Sequence, residues 1–439
     1  MTNLTLKKLW AQSSKRRQKQ FRLLLVLMII SSLFEIVSIG MILPFLGALS
    51  MPEQVYQYPL MQPIIEVLEI SKPSQLMLPL AVLFITAALL TGLIRLTLLY
   101  AITRFGYATG ADLSINIYRL TLYQDYAVHV SRNSSQIINA IITKTNTVIS
   151  GTILPTLNFI SSMILLIGIM IALFTISTDA ALSATITLGL IYWIIVRYTK
   201  NRLKKNGQII ADQSTQMVKS LQEGLGGIRD VLIDNTQQFY CRLYRDADLP
   251  LRRASGSNIF IGGSPRFAME AIGMSLIAGL AYISAQQEGG LAAVIPTLGA
   301  LALGAQRLLP ALQLAYDSYS RIKGSNPSLE DVLDLLNQRL PEHANQPPQN
   351  PITFEKEIEI RNVDFRYTLE TPWVLKNINL SISKGSCVGF MGVTGSGKST
   401  LIDIIMGLLS PTDGELIIDH KSLNRQNIKA WQAHIAHVP

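Results

Sequence analysis

Apolar residues in this chain come in long uninterrupted blocks over the first three quarters of its length. Six blocks, at 23–49, 76–101, 148–174, 180–196, 258–285 and 291–316, are nearly free of charge. About 20 such residues carry a helix across a bilayer, so the pattern predicts six transmembrane helices, the fourth being the shortest. Core helices of a large soluble protein would carry more charge in six such runs. From residue 352 the pattern changes to short runs. Residues 358–367 (IEIRNVDFRY) and 374–380 read as strands, and the continuous apolar run 386–391 reads as a buried parallel strand. Residues 401–406 have the apolar content of a helix start. The expected fold class is an α-helical membrane domain whose six helices have long cytosolic extensions, followed by an incomplete α/β domain. The expected segments are a basic cytosolic stretch 1–22, a membrane domain 23–322, a linker 323–351 and an α/β portion 352–439.

Composition agrees with the block pattern. Apolar residues make up 49% of the chain and charged residues only 15%, too apolar for an ordinary soluble protein. The formal charge of +9 invites a nucleic-acid reading, but the basic residues sit beside the apolar runs on one side, which points to membrane topology instead. Lys7, Lys8, Lys15, Arg16, Arg17, Lys19 and Arg22 precede the first run. Further Lys and Arg crowd the segments between runs two and three and between runs four and five, whereas the opposite segments hold only Lys72. Both termini and both long loops are therefore expected in the cytosol of a multi-pass protein of the cell (plasma or inner) membrane. The long loops, about 45 and about 60 residues, read as helical extensions that turn round at short connecting helices, with 221–239 a candidate for the second turn. The first run is too long for a cleavable signal peptide. Cys241 and Cys387 lie far apart and imply no disulfide framework.

The chemistry is concentrated in Gly392, Val393, Thr394, Gly395, Ser396, Gly397, Lys398, Ser399 and Thr400, which fit G-x-x-x-x-G-K-[ST]. Glycines let backbone N–H groups close round phosphate oxygens, the lysine reaches the β/γ-phosphates and the Ser399 hydroxyl can ligate Mg²⁺. A chain of this length matches the pattern by chance roughly 1% of the time. ATP and Mg²⁺ are the expected ligands.

Six spans, two long cytosolic loops, a linker and then strand–P-loop–helix, in that order, resemble an ATP-binding-cassette exporter of the half-transporter type. Residues 358–367 resemble the opening strand of its nucleotide-binding domain, 374–380 with Lys384-Gly385 the hairpin before the P-loop, and 410–416 the turn after it. The resemblance places Tyr367 where an aromatic residue stacks on adenine. It implies a dimer, of two copies or of two different halves. It also implies a glutamine, a Leu-Ser-Gly-Gly-Gln-type signature, an Asp–Glu pair and a switch histidine, none of which occurs in 1–439. Residues 435–439 resemble the strand just before that glutamine, and His434 and His437 read as ordinary strand-region residues. A cassette cut before its glutamine loop is the expectation, either a fragment or an interrupted gene, with no turnover by the 439 residues alone. Within the family, 35–46, 226–234, Ser264-Pro265-Arg266 and Glu270 look most like flippases of lipid-linked oligosaccharides and polysaccharides. Residues 53–70 fit either an external amphipathic helix, a feature of that subgroup, or a plain loop.

Ionisable groups inside spans cost about 2.5–3.5 kcal/mol each on insertion scales and are functional candidates. Arg95, Arg266 and Arg307 fall at similar depth in runs two, five and six. One reading is a cationic ring for an anionic lipid-linked saccharide, since Arg grips pyrophosphate bidentately. The other is that each arginine snorkels or is paired, Arg266 with Glu270 one turn away and Glu35 with a membrane arginine. The expected function is ATP-driven export or flipping of a lipid-linked or complex saccharide, as one half of a homodimer. A peptide or drug exporter is the alternative within the class, and a truncated nucleotide-binding membrane protein without transport is the alternative outside it.

Overall fold

The computed structural model describes the backbone of residues 2–12, 14–50, 52–58, 61–67, 70, 72–176, 178–285, 290–341 and 350–438, and fewer of the side chains. It divides into two units, residues 1–117 with 137–336 and residues 118–136 with 337–439.

The first unit is helical. It opens with α1 (Thr2–Ala11) and α2 (Lys15–Gly40), then α3 (Ile42–Ser50) after a break at Met41. Among the described residues of 53–70 there are two short helices, α4 (Pro52–Tyr56) and α5 (Gln62–Val67). Tyr58, just ahead of Pro59, turns back through Tyr58 N–H to Val55 O, and a residue before proline is pushed out of the α region. Ala48, Val55, Ile65, Ile70, Leu76 and Leu80 bury together there. The long α6 (Met77–Leu122) runs at its end into residues of the second unit, to which α7 (Tyr126–Ser131) belongs, and the first unit resumes within α8 (Ser134–Asn139), followed by α9 (Thr145–Val148) and α10 (Leu154–Ile176). α11 (Thr178–Gly226) turns through α12 (Ile228–Ile233) into α13 (Gln237–Ala285), and α14 (Gly290–Leu336) ends the unit. Residues 323–336, expected as the start of a linker, thus continue α14. Among the described residues, Lys15–Ser38, Met77–Leu122 and Ser134–Ala172 are long and apolar enough to cross a membrane. Runs 180–196, 258–285 and 291–316 lie in α11, α13 and α14, many of whose side chains there are outside the described set.

Helices in lipid gain nothing from hydrophobic contact with one another, so close backbone approach and polar contacts hold them together. Such contacts gather where α10, α11, α13 and α14 emerge from their apolar runs. A Cβ on Gly207 would stand 2.3 Å from Gly324 O, and one on Gly151 2.7 Å from Ser325 Cβ. Ser325 Oγ donates to Gly151 O (2.7 Å) and meets Thr152 Oγ1 at 2.8 Å, while Asn206 Nδ2 donates to Asn258 Oδ1 (2.9 Å). Two π-helical turns, Ala140–Lys144 and Ile149–Ile153, flank α9. The Thr145 hydroxyl donates to Ala140 O, five residues back, which favours the wider turn. Lys144, almost buried, reaches Asp331 at 2.5 Å.

In the second unit, β1 (Glu357–Phe365), β2 (Leu375–Ser383), β3 (Asp413–Ile418) and β4 (Lys421–Ser422) form an antiparallel sheet in the order β2-β1-β3-β4. Ile360 pairs with Leu380 on one side and Leu416 on the other. α15 (Lys398–Ile405) and α16 (Ile428–Gln432) cover one face. Ile360, Val363, Phe365, Leu401, Ile404, Leu416, Ile418 and Trp431 make the core, and Tyr126 of α7 packs against it. Trp431 Nε1 donates to Ile405 O (2.8 Å). The predicted strand at 386–391 does not form. Its residues are mostly exposed, Met391 at 95%, because every strand described here pairs antiparallel and none lies beside it as a parallel neighbour. Residues 435–438 are likewise irregular. His434 Nε2–H donates to Ile352 O at 2.5 Å, a structural tie.

Asp419, in the β3–β4 turn with φ 42°, accepts backbone N–H bonds from Glu355, Lys356 (2.8 Å) and Glu357 (2.9 Å). These donors hold its carboxyl below the usual value. A depressed folded-state pKa stabilises above the unfolded value and is lost as pH falls through the folded one. The melting temperature of this unit, followed by tryptophan fluorescence, should therefore fall as pH is lowered below about 4, and Asp419→Asn should remove part of that slope. Gly207→Ala should cost about 1–3 kcal/mol in thermal or denaturant unfolding, because backbone must move. Gly189→Ala, with nothing within 4 Å of its added carbon, should be near neutral.

Candidate functional site

The nucleotide loop runs from the exposed segment after β2 into α15. Gly395 and Gly397 have φ of 84° and 88°, a region that side chains with a Cβ rarely adopt. At Gly397 an added Cβ would also meet Leu375 Cδ2 at 2.8 Å and Val374 O at 3.1 Å, and at Gly392 one would meet Ser396 Oγ at 2.8 Å. Glycine is thus required both for the turn and for the close approach of β2. The loop closes on its own lysine. Lys398 Nζ donates to Gly392 O and Val393 O, both at 2.8 Å, and to Ser396 Oγ at 3.4 Å. Leu401 N–H to Gly397 O starts the helix.

Ser399 is exposed at the start of α15, and Thr400 is buried beneath it. Tyr367, 41% exposed just after β1, shares a hydrogen bond with Thr400 Oγ1 at 3.1 Å and packs edge-on against Phe365. The aromatic residue and the loop, 25 residues or more apart in sequence, are thus tied into one site. Sequence reasoning had no signal for this bond. Arg366 lies 4.4 Å over the Trp373 ring beside it. Burial pushes the Asp403 carboxyl up, with His437 opposing, and burial likewise pushes up the Tyr126 hydroxyl, aided by Asp403 and Tyr367. The residues fit a nucleotide with its metal: a glycine cradle, a lysine ammonium on the loop, an exposed hydroxyl at a helix start and a half-exposed ring. Among the described residues no cluster of His, Cys, Asp and Glu could hold a metal by itself.

Two of the three membrane arginines have described side chains, and each of those two is in an ion pair. Arg95 Nη1 pairs with Glu35 at 3.2 Å and is 54% exposed, whereas the Glu35 side chain is 9% exposed. Both line a cavity of about 550 Å³ with Ser31, Asn158, Ser161, Ser162, Leu98 and Pro310. Arg266 pairs with Glu270 one turn on, at 2.8 Å. The Arg307 side chain lies outside the described residues.

Comparison with known proteins now gives the class. A family model described as ABC transporter transmembrane region matches residues 21–289, and one described as ABC transporter matches residues 375–439. The chain belongs to the ABC transporter family. It is 27% identical over 224 residues to ABC transporter B family member 1 of Arabidopsis thaliana, covering 49% of this chain and 17% of that one. It is 20% identical over 333 residues to an ATP-dependent lipid A-core flippase of Paraburkholderia xenovorans, covering 74% and 55%. A leukotoxin export ATP-binding protein of Aggregatibacter actinomycetemcomitans is 35% identical over 123 residues, 28% of this chain and 17% of that one. The match thus spans about half or less of each relative. A solved bacterial Atm1-family ABC exporter with ATP bound has the same fold, with a TM-score of 0.67 at 16% identity over 95% of this chain and 70% of that one.

Lys398→Ala should weaken binding of a fluorescent ATP analogue roughly 10–100-fold, since hydrogen bonds to charged groups are worth about 1.5–3 kcal/mol each. Gly397→Ala should lower it too, through the loop's shape, and Tyr367→Ala should weaken ATP more than inorganic triphosphate.

Proposed function

We propose that this chain forms one half of an ATP-driven exporter or flippase that works as a dimer in the cell membrane, with both termini cytosolic. The observation that carries the reading is the glycine cradle of 392–400, tied to Tyr367 through Thr400 and attached to a helical membrane unit. Tyr367 stacks the adenine, Gly395, Gly397 and Lys398 hold phosphates, and Ser399 holds Mg²⁺. ATP chemistry in such a site is positioning and charge stabilisation, and it needs donors beyond the P-loop. No signature motif, glutamine loop or Asp–Glu pair is found within residues 1–439, and on this reading these residues alone bind nucleotide without sustained turnover. α12 supports the dimer: Ile228, Leu232 and Ile233 are 47–69% exposed on the turn between α11 and α13, a surface suited to a second copy or a paired half.

A lipid-linked or complex saccharide is the cargo this reading favours. Of the three relatives matched by sequence above, the lipid A-core flippase is aligned over the largest share of the chain, 74%. The cavity beside Arg95 combines a cation paired with the Glu35 carboxylate, hydroxyls and an amide with apolar walls, a mixture suited to a polar head group on a lipid tail. Peptide or drug export stays the alternative, supported by the toxin exporter and the plant B-family member.

The test is substrate-stimulated ATPase and flipping in vesicles by a version of the chain carrying the remaining cassette motifs. Arg95→Ala should cut saccharide-lipid flipping about ten-fold or more while Lys398-dependent basal hydrolysis persists. Unchanged flipping in Arg95→Ala, Arg266→Ala and Arg307→Ala together would remove the anionic-cargo reading. Lys398-dependent turnover by the 439 residues alone would overturn the account of the incomplete site.

A further inference from the structure

The first 34 residues hold seven Lys and Arg and no Asp or Glu. Only one of the seven, Arg17, is tied down in an ion pair among the described residues. It turns inward, its Nε 2.7 Å from Asp112 Oδ2 and its Nη2 3.2 Å from Ala108 O. Lys7, Lys8, Lys15, Arg16, Lys19 and Arg22 are exposed.

Their placement is not scattered. On α2, residues 15, 19, 22, 23, 26, 30, 33 and 37 lie within one broad stripe at 100° per residue, on the side away from Arg17. Along that stripe Lys15, Lys19 and Arg22 give way abruptly to Leu23, Val26, Ile30, Leu33 and Val37, which are 39–65% exposed. An exposed apolar stripe on a membrane-spanning helix faces lipid. From Leu23 to Gly40 the helix rises about 27 Å, close to the roughly 30 Å of a hydrocarbon core. The hydrocarbon edge therefore falls between Arg22 and Leu23, and the cations on the same stripe stand at head-group depth.

α1 completes the surface. Its inner face is anchored by buried Thr5 and Leu9, with Thr5 Oγ1 3.2 Å from Asn326 Oδ1 of α14. Its other faces carry exposed Lys7, Lys8 and Trp10. Trp10 is 40% exposed and packs edge-on against Phe21, 4.9 Å between ring centroids, which holds the indole beside the Arg22 level. Tryptophan with clustered cations is the chemistry of a membrane interface rich in anionic lipid.

We propose that the outer faces of α1 and of the first two turns of α2 form a binding surface for anionic phospholipid head groups. The six exposed cations meet the lipid phosphates, and Trp10 lies at the boundary between head groups and acyl chains. The surface recruits anionic over zwitterionic lipid around the first span. The inference depends on the chain spanning a bilayer and is independent of ATP or cargo, so its failure leaves the transport reading untouched and the converse also holds.

The test uses the full chain in bilayers containing brominated phosphatidylglycerol or, at the same mole fraction, brominated phosphatidylcholine. The fluorescence lost in a Trp10→Phe variant isolates the Trp10 signal from that of the other tryptophans. The expected result is about two-fold stronger quenching of Trp10 by the anionic lipid, abolished in Lys15→Gln/Lys19→Gln/Arg22→Gln and reduced at about 0.5 M NaCl, where the screening length is only a few ångströms. The salt series on the native chain gives the same answer should the triple variant fail to insert. Equal quenching by the two lipids in the native chain would overturn the proposal. So would a preference indifferent to both salt and the triple variant.

Discussion

The first unit depends on helix backbones being allowed to touch. Its helices share a solvent that rewards apolar contact no more than lipid does, so packing must come from small residues and polar pairs. Gly151, Gly207 and Gly324 supply the space, and Ser325, Thr152, Asn206 and Asn258 supply the bonds. These contacts sit at the ends of the apolar runs, where the helices pass from lipid to water. There they fix the spacing of α10, α11, α13 and α14 over a short length and leave the apolar stretches free to present exposed side chains to lipid. The two π turns lie in the same region, and Lys144, the last residue of the first, pairs with Asp331.

The second unit meets a different constraint. A phosphate-binding loop needs backbone in conformations that most residues refuse, and it needs something rigid behind it. Gly395 and Gly397 meet the first need, and the packing of Gly397 on Val374 and Leu375 ties the loop to β2. The Tyr367–Thr400 bond ties it to β1. Lys398 occupies loop carbonyls, so a bound phosphate would exchange neutral acceptors for charged ones, a gain in bond strength at no cost in new ordering of the chain. The α7 residue Tyr126 packs on the same core. A segment from between α6 and α8 is thereby built into the unit that holds the loop.

How much of this could be read beforehand differed by the range of the interaction. The long helices and the phosphate loop were legible because each is a local pattern: uncharged apolar blocks, and glycines at fixed offsets from Lys398. The helical turn at Ile228–Ile233 was signalled by Gly226 and Gly227. Pairings across the chain were not legible. Arg17–Asp112, Lys144–Asp331 and Tyr367–Thr400 join residues 33 to 187 positions apart, and no spacing announces them. The Arg95–Glu35 pair was among the alternatives because both residues are costly in lipid, but the cavity they line was not. The strand expected at 386–391 failed for a related reason. An apolar run records a preference for burial, and a parallel strand also needs neighbours, which the sheet β2-β1-β3-β4 does not offer.

The central claim is that a nucleotide sits with its adenine on Tyr367 and its phosphates in the 392–400 loop. Photolabelling of the full chain in vesicles with azido-ATP, followed by tryptic mapping, tests this most directly. The account predicts Mg²⁺-dependent label, displaced by excess ATP, on the peptide from Tyr367 to Lys376 that trypsin releases after Arg366. Label that ATP does not displace, or that maps only to peptides of the membrane helices, would contradict it.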